Sequence, residues 1–391
     1  MMKYADFLWI LVLAGLYSKI HNLDIDTIFS EETGFIHVIR GFFPILAMIL
    51  ALLSVFVLKF RKIPIYKTPL VFFFYFCFIG LFSSFISPEI LTALYWGGLY
   101  LSPILVLWYV LNRTNPLDYL HRIIHINYVF LTILMLAFLP TAIQKGISGW
   151  DTLPFGIGDV NRNGIARYAL IVIIFSFTRL ITQKGIKHYI YILLLLPALF
   201  IIAQAQSRSA LFGFGVALVI IMYLRGLDWR FLFASPLFTY LIWLAGFKWR
   251  AKGEIEELVS LAGRDYTWRM ALENIKNSPI FGWGFQADRL TLEFAHMHNS
   301  YLQALIQSGI IGAIFFVSAI ILIWATVFRY YFFRRVRHIK GQDKWLIIES
   351  IAILGFFTIR SLFESTAAFY GVDLLVLLPH ICYIKLLSKE T

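Results

Sequence analysis

Apolar residues run along this chain in long blocks, separated by short charged joints. A helix needs roughly 20 apolar residues to cross about 30 Å of hydrocarbon. Blocks near that length lie at 5–20, 41–58, 69–86, 90–111, 123–142, 164–181, 189–204, 209–224, 231–246, 302–328, 346–363 and 370–387. The pattern therefore predicts an all-α, polytopic transmembrane helical bundle of about 12 spans. It forms a single integral membrane domain over residues 1–391, with a long hydrophilic loop at 247–300 between spans nine and ten. The first block is the weakest, being short and carrying Asp6. It has no small-residue cleavage site after it and reads as a retained anchor rather than a signal peptide.

Composition excludes a water-soluble enzyme. Hydrophobic residues make up 60% of the chain and charged residues 14%, with a mean hydropathy of +0.77. A soluble domain carries about 25% charge. The net charge of +12 is read as an orientation signal, because the basic residues fall in even-numbered joints. Lys59, Arg61, Lys62 and Lys67 lie in the second, Arg113 and Arg122 at the fourth, and Arg179, Lys184 and Lys187 at the sixth. Arg225 and Arg230 frame the eighth, and Arg329, Arg334, Arg335, Arg337, Lys340 and Lys344 load the tenth. The positive-inside rule puts these joints and both termini of a multi-pass membrane protein in the cytoplasm. The tenth joint is suited to anionic membrane lipids; no motif points to nucleic acid. Cys77 and Cys382 both fall inside spans, so no disulfide framework is implied.

The opposite, outer face holds the unusual polar segments. One joint ends in Asp159-Val160-Asn161-Arg162-Asn163, and a second is only Gln204-Ala205-Gln206-Ser207-Arg208-Ser209. Arg208 breaks the charge rule there, and a charge at the hydrocarbon edge points to a functional site or, failing that, to an arginine snorkelling to lipid phosphate. In the long loop, Glu254 to Leu261 suits a short helix. Asp265 is then read as the N-cap of an amphipathic helix with Trp268, Leu272 and Ile275 on one face, lying on the outer membrane surface. Arg269 is spaced to pair with Glu273 on the wet side. Arg264 precedes this helix and is available to a cavity, while Phe281-Gly282-Trp283-Gly284-Phe285 reads as a turn with interfacial aromatic anchors.

His296 and His298 stand just before the tenth span. Asn299 or Ser300 is placed to cap that helix, whose free amides and dipole favour an anion and keep His298 neutral, able to accept a proton. Gly309 and Gly312 permit close helix contact. A metal site is disfavoured, since the two histidines are spaced i, i+2 with no third ligand at a recognised spacing. Arg360 and Glu364 are spaced as an i, i+4 pair at the end of the eleventh span.

These residues together resemble the bacterial O-antigen ligases and the related O-antigen polymerases. The ligase signature is His, then Asn, Ser or Gln, nine residues, Gly, two residues, and Gly, Thr or Tyr. Here it reads His298, Asn299, Gly309 and Gly312. A Ser-Arg-small-Ala step is met by Ser207 to Ala210, and an Arg, Trp, Pro, Gly-x-Gly series by Arg264, Trp268, Pro279, Gly282 and Gly284. The resemblance covers Asn161 to about Gly312. It implies a GT-C-like membrane glycosyltransferase, independent of metal or other cofactor, with its active site at the periplasmic face. The donor would be a glycan on undecaprenyl diphosphate. A ligase passes it to a hydroxyl of lipid A–core in lipopolysaccharide biosynthesis, whereas a polymerase passes it to another lipid-linked repeat.

On that reading His298 is the general base, and Arg208 and Arg264 meet the diphosphate, since guanidinium forks match its oxygens. Arg269 and Arg360 are secondary candidates for the diphosphate. Asp159, Asn161 and Asn163 orient sugar hydroxyls or simply end a loop, and His296 is a weaker site candidate. The ligase reading is preferred over the polymerase. A lipid-linked glycan transporter ranks third, because mid-span positions carry almost no charge and no internal repeat is found.

Overall fold

The computed structural model describes residues 2–17, 34–57, 63–144, 146–147, 150–152, 159–180, 185–226, 264–292, 296–333 and 336–390. Eleven of the twelve predicted spans have a helical counterpart. In chain order these begin with α1 (Tyr4–Ala14), α2 (Phe35–Val57), α3 (Val71–Ser83), α4 (Ile90–Leu111) and α5 (Pro116–Ala137), the last extended by a short α6 (Leu139–Gln144). Then come α7 (Arg162–Leu180), α8 (Ile186–Ala205) and α9 (Arg208–Arg225). After α10 (Arg264–Ile275) and the one-turn α11 (Ala287–Thr291) follow α12 (Ser300–Val327), α13 (Gly341–Arg360) and α14 (Val372–Glu390). The ninth predicted span, 231–246, and the helix expected at 254–261 lie outside the described residues.

The fold is an all-α polytopic membrane bundle. It has one small addition: strands β1 (Trp150–Thr152) and β2 (Asp159–Asn161) pair antiparallel ahead of α7, with Trp150 opposite Asn161. Among the described residues, seven helices are long and apolar enough to cross a membrane; α13 and α14 are not among them. Their position supplies the reason. Every residue from Leu346 to Phe357, and from Val372 to Ile384, is buried, so these helices face protein on all sides and need no lipid-facing stripe.

Central helices can therefore hold charge near the ends of their spans. Glu349 of α13 has no exposed surface and accepts from Arg179 Nε at 3.1 Å and Thr178 Oγ1 at 3.2 Å. The Arg179 guanidinium also lies over the Tyr128 and Trp345 rings. Pairing of this kind lets a buried charge persist.

Helix α12 is broken. Gly309 has φ 59° and ψ −167°, a region open essentially to glycine alone. The Pro279–Gly284 turn occupies the break: Ile310 N donates to Pro279 O at 2.9 Å, Trp283 N to Ile306 O at 2.9 Å, and Gly284 N to Gln307 O at 2.8 Å. Backbone amides freed by the kink are thus satisfied by the turn, as burial away from water demands. Gly309 was expected to serve contact between helices; its close neighbour is instead this turn. Phe285, expected as an interfacial anchor, is 1% exposed and packs on Phe76 and Tyr100 inside the bundle. Gly80 and Gly97 leave the room it fills.

Candidate active site

Site geometry starts at the first turn of α12. Asn299 is its cap: the side-chain oxygen accepts from Tyr301 N and Leu302 N, both at 3.0 Å. Ser300 N donates to Ser361 O at 2.9 Å. The amides expected to attract an anion are therefore already taken, which corrects that part of the sequence reading. His298, just before the cap, has a left-handed φ of 47°, a conformation uncommon outside glycine.

What His298 faces is Glu364. Helix α13 ends at Arg360, and the following turn is fastened to α12. Ser300 Oγ donates to the carbonyls of Glu364 and Thr366 at 2.9 and 2.8 Å, and Asn299 Nδ2 to Leu362 O at 3.2 Å. That anchoring presents the Glu364 carboxylate, whose residue is 7% exposed, to four elements at once. His298 Nδ1 lies 2.9 Å from Oε2. On Oε1 converge Asn163 Nδ2 at 3.1 Å, the second guanidinium nitrogen of Arg264 at 3.4 Å and Ser209 Oγ at 3.5 Å.

Burial alone would raise the Glu364 carboxyl, but the His298 hydrogen bond and the Arg360, His298 and Arg264 charges outweigh it and hold the group at about 2. This is below the ordinary 4.5, so the pairing stabilises the fold fully above pH 4.5 and is lost as pH falls toward 2. The melting-temperature gap between wild type and Glu364→Gln is expected to stay constant from pH 8 to 5 and to narrow below 4.5. A gap independent of pH in detergent-solubilised protein would contradict the pairing.

Arg264 feels opposing influences. Burial pushes its guanidinium down from the ordinary range, Glu364 holds it up, and the neighbouring Arg208 and Arg360 charges push it down again. Arg208 itself is exposed at the start of α9. Arg208 is thus close enough to Arg264 for their charges to repel.

Other expected residues end elsewhere. Arg269 is exposed and pairs with Asp265 Oδ2 at 3.0 Å rather than with Glu273. An acid one turn N-terminal to a base is the better orientation on a helix. Asp265 lies inside the first turn of α10 instead of capping it. The buried face of α10 is Trp268, Ala271 and Ile275, packed on Met297 and Ile306, while Leu272 is 47% exposed. This helix rests on protein along that face, and Leu272, expected on the same face, is not part of the contact. Arg360 does not pair with Glu364; it is 2% exposed and donates to Asp373 Oδ2 at 2.7 Å. Arg167 donates to the other oxygen of Asp373, also at 2.7 Å. Asn161 is occupied locally, its Oδ1 accepting from Gly164 N at 2.8 Å. Asp159 pairs through its backbone with Thr152.

His296 faces a different space from His298, although the rings stack 4.8 Å apart. Its Nδ1 is buried without a hydrogen-bond partner, and burial, with the Arg289 and His298 charges, lowers its pKa to about 3. It lines a cavity of about 420 Å³ reaching from Glu364 to α1 and the start of α14, which neither Arg208 nor Arg264 nor His298 lines. Among the described residues no three His, Cys, Asp or Glu side chains come together as metal ligands.

Residues 168–317 match the model of the O-antigen ligase family. That stretch contains Arg208, Arg264 and His298 and ends before Glu364. The chain is similar to the exopolysaccharide production protein ExoQ of Rhizobium meliloti, 30% identical over 101 residues, covering 22% of this chain and 21% of that protein. It is also similar to an uncharacterized protein of Haemophilus influenzae, 29% identical over 120 residues, covering 26% of this chain and 29% of the other. The matched stretch thus spans less than a third of either relative's length.

Proposed function

We propose, from the match of residues 168–317 to the O-antigen ligase family, that this chain transfers a glycan from undecaprenyl diphosphate to a hydroxyl acceptor at the periplasmic face. The acceptor in the first reading is a sugar of lipid A–core. The observation that carries the proposal is His298 held against a buried, ionised Glu364 with Arg264 on the same carboxylate.

The chemistry follows from that arrangement. When Nδ1–H donates to Glu364, the Nε2 lone pair of His298 is left to take the proton of the acceptor hydroxyl. The hydroxyl oxygen bonds to the anomeric carbon as the bond from that carbon to the phosphate oxygen breaks. The electron pair leaves on the diphosphate, whose growing charge Arg208 and Arg264 neutralise. Glu364 stabilises the resulting imidazolium, as a buried carboxylate does for a catalytic histidine elsewhere. The GT-C-like character and independence from metal belong to this reading.

The test is reconstitution of the full chain with a lipid-linked glycan and lipid A–core, with and without chelator. Transfer that persists with chelator supports the proposal, and its absence from both arms with folded protein removes it. Polymerisation of lipid-linked repeats is the second reading, favoured by the similarity to an exopolysaccharide production protein. Deletion of the gene separates the two. Loss of a ligase leaves uncapped core and accumulated lipid-linked polymer, whereas loss of a polymerase leaves core capped by one repeat.

A further inference from the structure

The cavity below Glu364 holds more binding capacity than the transfer step uses. Its volume, about 420 Å³, falls in the range of small-molecule sites, about 300–1,000 Å³. Asp373 is shared by Arg167 and Arg360, so those three groups together retain one positive charge. Arg289 of α11 adds another, and Glu364, which also lines the cavity, offsets one, so the lining carries one surplus positive charge. Three buried nitrogens on residues that line this space lack partners: His296 Nδ1, Arg167 Nε and Arg360 Nε. Unsatisfied buried donors and acceptors are rare and call for a ligand or water. The remaining wall is aromatic, with Trp96, Tyr17 and Phe369 lining it.

Aromatic faces suit the apolar face of a sugar ring, and the surplus cation suits an acid on that sugar. We propose that the cavity is a subsite for a carboxylate-bearing sugar, of the hexuronic acid class, with Arg289 pairing with the carboxylate and His296 accepting a ring hydroxyl. The diphosphate is assigned elsewhere, because Arg208 and Arg264 do not line this cavity. The inference rests on the glycan-transfer reading and names the substrate class of that same site.

Saturation-transfer difference NMR on the full chain in detergent micelles tests it with three probes: a hexuronic acid disaccharide, its carboxyl-reduced neutral counterpart and inorganic pyrophosphate. The acidic disaccharide is expected to bind about tenfold more tightly than the neutral one, the least that a charge-assisted hydrogen bond contributes. Arg289→Gln brings the acidic probe to the neutral level, Arg289→Lys keeps part of the preference, and pyrophosphate does not displace the acidic probe. Equal binding of both disaccharides to the wild-type protein overturns the proposal with no variant needed. An undiminished preference in Arg289→Gln also overturns it. So does displacement by pyrophosphate that Arg289→Gln abolishes, which would give the cavity to the diphosphate. Binding needs no turnover, so failure of the transfer reading in reconstitution and failure of this subsite are separately visible.

Discussion

His298→Ala is expected to lower the initial rate of glycan transfer by about 10²–10⁴-fold, the usual contribution of a positioned base, with the protein still accumulating in the membrane. His298→Asn is the stricter variant, because asparagine tolerates the left-handed backbone that His298 adopts. Glu364→Gln should be comparably severe, since removing the carboxylate behind a catalytic histidine can cost about 10⁴-fold. It also leaves Arg264 without the carboxylate it donates to. If the two residues act as a unit, the double variant is no worse than the poorer single one. The measurement is the rate in reconstituted vesicles, normalised to folded protein. Near-normal transfer by His298→Asn would remove the histidine from the mechanism.

Gly309→Ala is the second large effect, and it acts through folding. A Cβ at Gly309 would overlap the Ile280 carbonyl, and the backbone angles there are open essentially to glycine. Strain of about 1–3 kcal/mol for such a conformation adds to the loss of the hydrogen bonds that seat the Pro279–Gly284 turn. The expected outcome is a large fall in monodisperse protein by size-exclusion chromatography, with transfer falling in proportion. Gly215→Ala is the control. It lies within α9 with open space around its Cβ position, and alanine is the better helix former by about 1 kcal/mol. Equal yields from the two variants would show that the break at Gly309 does not hold the turn.

Much of this architecture is legible in the sequence, because hydropathy reports a solvent requirement that each span meets separately. The exceptions have physical causes. Gly309 sits in an apolar run, and a hydropathy window does not register a backbone angle. Glu364 was read as the i, i+4 partner of Arg360, which assumes that the helix continues. It ends at Arg360, and the extra turn swings the carboxylate toward His298. Arg167 lies five residues, and Asp373 one residue, past the first residue of its helix, and no local spacing singles either out. Their pairing links residues 206 positions apart, a separation that local spacing cannot report. The arginine and histidine candidates were found because each violates a local rule: a cation in an outer joint, or a histidine just before a cap.

The break in α12 has a mechanical side. Residues 300–308 are tied to the Pro279–Gly284 turn and to the turn after α13, while the segment beyond Gly309 runs on through the apolar slab. A bilayer that thickens or thins tilts the helices crossing it. The Pro279–Gly284 turn bonds to both sides of Gly309, through Ile306 and Gln307 before it and Ile310 after it, so the break is braced by the turn rather than left as a hinge to such tilt.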